Sequence, residues 1–100
     1  MGNASRIDEF RVKLQRLMPR LASEFDVESL ALFGSYVRAE QGPDSDLDVL
    51  VTFQATPDLF AIVRLEELLE EALGVPVDLV MRDALRPHIG KRIEAEAQPV

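Results

Sequence analysis

Cysteine is absent from this chain of 100 residues, which excludes both a disulfide framework and a thiolate metal site. That absence fits a reducing compartment. Basic charge is scarce as well: 11 Lys and Arg stand against 18 Asp and Glu, a net charge of −7. Tight nonspecific binding to nucleic acid relies on Lys and Arg neutralising phosphates. Direct nucleic-acid binding is therefore not expected, and a template-directed polymerase is argued against. No apolar run approaches membrane-spanning length, and the start of the chain lacks the hydrophobic region of a signal peptide. The expectation is a cytoplasmic protein with no membrane partner. Met1-Gly2 begins like a myristoylation site, but Arg6 stands where a hydroxyl residue is required. The Asn3-Ala4-Ser5 sequon carries no weight without a secretory signal. His88, the one histidine, has no second His or Cys to share a metal.

What is present reads as an ordinary globular domain. Hydrophobic residues make up 47% and charged residues 29%, and the length suits one domain spanning 1–100. Ser5 and Asp8 resemble a helix-start box. Ile7, Phe10, Leu14, Leu17, Met18 and Leu21 then recur at helical spacing, with a kink or break expected at Pro19 and a short second segment to about Phe25. Leu30 to Phe33 reads as a buried strand stopped by Gly34, and Ser35 to Glu40 as a brief helix. Gln41-Gly42-Pro43-Asp44 is a turn, with Asp44 and Ser45 as turn formers and Tyr36 as a packing residue.

From Asp46 to Phe53 the chain alternates. Leu47, Val49, Val51 and Phe53 share one face, and Asp46, Asp48, Leu50 and Thr52 share the other. Asp58 introduces a helix to about Leu73, stopped by Gly74, with Ile62, Leu65, Leu69 and Leu73 as its core stripe. Val75 to Met81 is a third strand, and the tail from Asp83 to about Ala97 is helical with interruptions near Pro87 and Gly90. The order predicts an α/β (α+β) domain: a small mixed sheet with helices mainly on one face, leaving Asp46 and Asp48 on the open face.

The chemistry lies in Gly34-Ser35, ten intervening residues, then Asp46-Leu47-Asp48. At usual residue frequencies such a four-position pattern recurs by chance in roughly one chain in a thousand of this size. Asp46 and Asp48 project from one side of a strand, with Cα atoms roughly 6.5–7 Å apart. Magnesium prefers one or two protein carboxylates plus phosphate oxygens and water. Asp78 would bring a third carboxylate if its strand pairs beside the first. Two ions in such a site activate the attacking oxygen and stabilise leaving pyrophosphate. Asp46 and Asp48 are assigned to Mg2+, and Asp78 to the nucleophile-side ion with a share in deprotonating the acceptor hydroxyl. Gly34 lets a phosphate approach the backbone, Ser35 donates a hydrogen bond, and Arg38 can reach the same phosphates. Arg82, Arg86, Lys91 and Arg92, against Asp83 alone, make a local basic cluster facing either nucleotide phosphates, a partner or solvent.

Leu32-Phe33-Gly34-Ser35-Tyr36-Val37-Arg38, the segment Asp44 to Val51 and Val77-Asp78-Leu79-Val80 resemble the minimal nucleotidyltransferases of the DNA polymerase β-like superfamily. Ala84-Leu85-Arg86-Pro87 and the segment Arg92 to Ala97 extend the resemblance over most of the chain. The resemblance implies a nucleotidyltransferase fold with Gly34 and Ser35 on the nucleotide and Asp46, Asp48 and Asp78 on magnesium. It also implies an antitoxin that moves AMP from ATP to a tyrosine of a HEPN-domain ribonuclease toxin. The family pattern has glycine after the arginine, where this chain has Ala39, and more arginine where it has His88-Ile89-Gly90. A domain this small has little surface to define an acceptor, so the acceptor hydroxyl is expected on another macromolecule, in a homo- or hetero-oligomer. The alternatives are an antitoxin that masks its partner by binding alone and nucleotidyl transfer to a small molecule.

Overall fold

In the computed structural model, which describes residues 6–100, a four-stranded sheet carries helices on both faces. The elements run α1 Arg6–Phe25, β1 Val27–Phe33, β2 Leu47–Phe53, α2 Leu59–Leu73, β3 Val77–Met81, α3 Pro87–Glu96 and β4 Gln98–Pro99. A single 3-10 turn, Arg82–Ala84, joins β3 to α3. The sheet order is β3-β2-β1-β4. β1 pairs antiparallel with β2 and β4, whereas β2 and β3 are parallel, joined by the crossover through α2.

The main core follows the alternation of β2. Leu47, Val49 and Val51 pack with Leu30 and Leu32 of β1 against Phe10, Leu14 and Leu21 of α1 and Leu65, Leu69 and Leu73 of α2. The ends of α2 match their sequence signals. Asp58 Oδ1 accepts the Ala61 N–H at 2.7 Å, and Gly74 closes the helix with φ 75°.

Four local expectations differ from the fold. α1 runs through Pro19 without a break, because Leu14 before it and Leu21 after it are buried on one continuous stripe. Ser35 to Ala39 forms hydrogen-bonded turns rather than a helix, with Gly34 O accepting from both Val37 N and Arg38 N at 3.1 Å. α3 continues through Gly90, with Pro87 at its first turn, where a missing N–H costs nothing. The face carrying Asp48 is only partly open: Ala31, Phe33 and Leu50 are covered by Leu85, Ile93 and Ala97 from the chain entering, forming and leaving α3. The amphipathic stripe of α3 buries the apolar middle of that face and leaves the end with the aspartates uncovered. Ser5, the expected cap of α1, lies outside the described residues.

Candidate active site

Asp48 sits on the interior strand β2, opposite Phe33 of β1 on one side and Asp78 of β3 on the other. Strands pair at about 4.8 Å, and register partners point to the same face, so the carboxyl groups of Asp48 and Asp78 are neighbours. Asp46 precedes the strand on the same side and is exposed. Burial raises the Asp48 pKa from 3.8 to about 6, with the charges of Asp78 and then Asp46 adding to the rise. Among the described residues, no three His, Cys, Asp or Glu side chains form a ready-made metal cluster. The donor set fits a divalent cation nevertheless. The charges of Asp78 and Asp46 add to the proton affinity of Asp48, and a bound cation would reverse that effect.

Gly34 ends β1 with φ 84°, a conformation that glycine adopts freely. A Cβ at this position would fall on Asp48 Oδ2 and within 2.9 Å of Asp48 Cγ. The two halves of the sequence pattern therefore touch: the glycine is what makes room for the carboxylate. Ser35, next in the turn, is half-buried, and its hydroxyl has no hydrogen-bond partner among the described residues. Tyr36 is the packing residue expected, with its ring edge-on to Phe10 at 5.4 Å between centroids. Ala39 keeps the turn with φ 57°, a left-handed conformation that favours glycine.

Arg38 is exposed but not free. Its Nε donates to Glu40 Oε1 at 2.9 Å, and its Nη1 to Glu96 Oε1 at 2.7 Å; neither bond uses Nη2. Glu96 Oε2 accepts the Gly34 N–H at 2.6 Å. The bond to Arg38, followed by the bond from Gly34, lowers the Glu96 pKa. Sequence reasoning missed Glu96. The available signal was its place three residues after Ile93, an acid on the inward stripe of an amphipathic helix.

These groups line one cavity of about 320 Å3, bounded by Phe33, Gly34, Arg38, Asp48, Ile89, Arg92, Ile93 and Glu96. Of the basic cluster in the tail, Arg92 faces this cavity, whereas Arg82 lies 3.8 Å from Glu94. Ser45 is a turn former, its Oγ accepting the Gly42 N–H at 2.8 Å, and His88 is exposed. A wider groove of about 590 Å3, between α1 and α2, holds none of the site residues.

An aspartate pair in register across β2 and β3, next to a glycine-serine turn, can hold a divalent cation beside a phosphate. Residues 14–100 match the family described as Nucleotidyltransferase domain, and the chain belongs to that family. Within it the chain is a minimal nucleotidyltransferase and an enzyme. Protein adenylyltransferase MntA of Thermococcus cleftensis is 41% identical over 90 residues, covering 90% of this chain and 91% of that protein. A candidate protein adenylyltransferase of Methanocaldococcus jannaschii, MJ0128, is 42% identical over 91 residues, 90% of this chain and 93% of that one. The solved structure of a candidate minimal nucleotidyltransferase superposes with a TM-score of 0.80 at 32% identity, covering 99% of this chain and 100% of the other. A complex of the tri-AMPylated Shewanella oneidensis HEPN toxin with MNT antitoxin shares the fold, with TM-score 0.66, 22% identity and coverage of 90% and 70%. No helix among the described residues is long and apolar enough to cross a membrane.

Proposed function

We propose that this protein is a Mg2+-dependent protein adenylyltransferase that moves AMP from ATP to a tyrosine hydroxyl of a HEPN ribonuclease toxin and so acts as its cytoplasmic antitoxin. The observation that carries the reading is the register pairing of Asp48 with Asp78 beside Gly34. The adenylyltransferase name of the Thermococcus relative and the AMPylated HEPN toxin bound to an MNT antitoxin in the Shewanella complex support the donor and the partner.

In the transfer, the tyrosine oxygen attacks the α-phosphorus of ATP. A new phosphorus–oxygen bond forms, the bond to the β-phosphate breaks, and pyrophosphate leaves. Asp46, Asp48 and Asp78 are the residues that would hold magnesium, two ions in the arrangement proposed. Bound there, magnesium neutralises charge on the phosphates and lowers the pKa of the attacking hydroxyl. Asp78 takes the hydroxyl proton. The Gly34–Ser35 turn seats the phosphates: the free Ser35 hydroxyl donates to a phosphate oxygen, and Arg38 and Arg92 bring positive charge to the cavity wall.

The test is incubation of the chain with labelled ATP, Mg2+ and its cognate toxin. The toxin becomes labelled, and the double variant Asp46→Asn, Asp48→Asn fails to label it or to protect cells. Protection by that double variant would show masking instead of catalysis, and labelling of a small molecule alone would shift the acceptor class.

A further inference from the structure

Glu96 lies outside the Gly34-Ser35 and Asp46-Leu47-Asp48 pattern, yet its carboxylate ties the phosphate turn to α3 by hydrogen bonds, while the buried ring of Tyr36 ties it to the core. Its two carboxylate oxygens are spent on different partners. Oε2 takes the Gly34 N–H at 2.6 Å, and Oε1 takes Arg38 Nη1 at 2.7 Å. The turn's own hydrogen bonds are short-range, from Val37 and Arg38 to Gly34 O, from Ala39 to Tyr36 O and from Glu40 to Ser35 O. The Gly34 amide is buried, and a buried N–H left without an acceptor is costly. Hydrogen bonds to an ionised carboxylate are stronger and more directional than neutral ones. Fixing both ends of the five-residue arc from Gly34 to Arg38 to one carboxylate therefore fixes where Ser35 and Arg38 point.

The carboxylate is itself held from both sides. Ile93 and Ala97, which flank it in sequence, pack against Ala31, Phe33 and Leu50. Gln98 and Pro99 pair with Leu32 and Ala31, and Val100 N donates to Leu30 O at 3.0 Å. These contacts hold the backbone that carries Glu96 against the sheet, and the two hydrogen bonds hold its carboxylate. Anchored on this backbone, the carboxylate faces the turn from a fixed base.

We infer that Glu96 is a positioning residue for the triphosphate: from the last turn of α3 it clamps the Gly34 amide and the Arg38 guanidinium, so that Ser35 and the unspent Nη2 of Arg38 face the nucleotide. The inference rests on the nucleotidyl-transfer reading above. Glu96 touches neither ATP nor acceptor and acts through the turn.

The experiment compares wild type, Glu96→Gln and, as a charge-matched control on the same helix, Glu94→Gln, all with Mg2+ and the cognate toxin. Glutamine keeps the size but cannot accept two charge-assisted bonds. Glu96→Gln is expected to raise the KM for ATP about tenfold with kcat within about twofold, while Glu94→Gln leaves both unchanged. In parallel, the Gly34 amide proton, downfield in the wild type, moves upfield in Glu96→Gln. An unchanged or lowered KM in an active Glu96→Gln variant overturns the inference, and a lowered one would show that the carboxylate competes with phosphate. If Glu96→Gln fails to fold, the wild-type Gly34 amide decides: slow hydrogen exchange is required, and fast exchange refutes the clamp. A wild type that labels no toxin counts against the adenylyltransferase reading; the amide resonance and the Kd for Mg-ATP in the two variants then test the clamp separately.

Discussion

Gly34 and Asp48 compete for the same space, and the absent side chain of one is occupied by the carboxylate of the other. Gly34→Ala would place a methyl on Asp48 Oδ2 at a φ of 84°, where alanine is already strained. The expected result is a loss of AMP transfer of at least about a hundredfold, since misplacing a reacting constellation by about 1 Å costs that much. Steady-state kinetics, with circular dichroism to show the fold retained, check it.

The raised pKa of Asp48 sets a pH dependence of stability. A carboxyl group whose folded pKa of about 6 exceeds its unfolded value of 3.8 favours the folded state when protonated. That contribution is complete below pH 4 and is lost as pH rises through 6. Asp48→Asn removes the loss. With the group partly exposed and screened, the variant should be more stable than wild type by about 1 kcal/mol at pH 7.5 in EDTA, with the gain vanishing near pH 4. Urea denaturation at the two pH values measures it. Adding Mg2+ should stabilise the wild type and leave the variant nearly unmoved.

Ala39 occupies the left-handed region with φ 57°. The conformation costs an alanine about 1 kcal/mol more than a glycine. Ala39→Gly should therefore raise the melting temperature by about 4 °C or more in a domain of this size. Scanning calorimetry reads the shift, and a fall would mean that the entropy of the unfolded glycine outweighs the relieved strain.

Pro19 lies inside α1, exposed, where it removes one intrahelical hydrogen bond. Pro19→Ala restores the bond on a helix whose buried stripe is unchanged, and a stabilisation of about 2 kcal/mol is expected. Chemical denaturation checks the value.

Much of this molecule is legible along the chain because the deciding signals are local. The alternation of Leu47, Val49 and Val51 with Asp48 is a two-residue period, and the caps at Asp58 and Gly74 act within one helical turn. The pairing of Asp48 with Asp78 follows once β2 and β3 are recognised as neighbours. The missed features depend on distant partners. Glu96 reaches Gly34 across 62 positions, and no local pattern announces that bond. The burial of Leu50 and Phe33 depends on α3 folding back over the sheet. Pro19 shows the converse: a local breaker is overruled when buried residues on both sides hold one axis.

β3 is an edge strand of the sheet, and Asp78 stands on it. In the proposed role of base, Asp78 stands at a rim and meets its acceptor on open ground. The proposed transfer to a toxin tyrosine then needs no hinged cover to part before a bulky substrate can enter or depart. The pace of repeated turnover falls instead to the encounter and separation of two macromolecules.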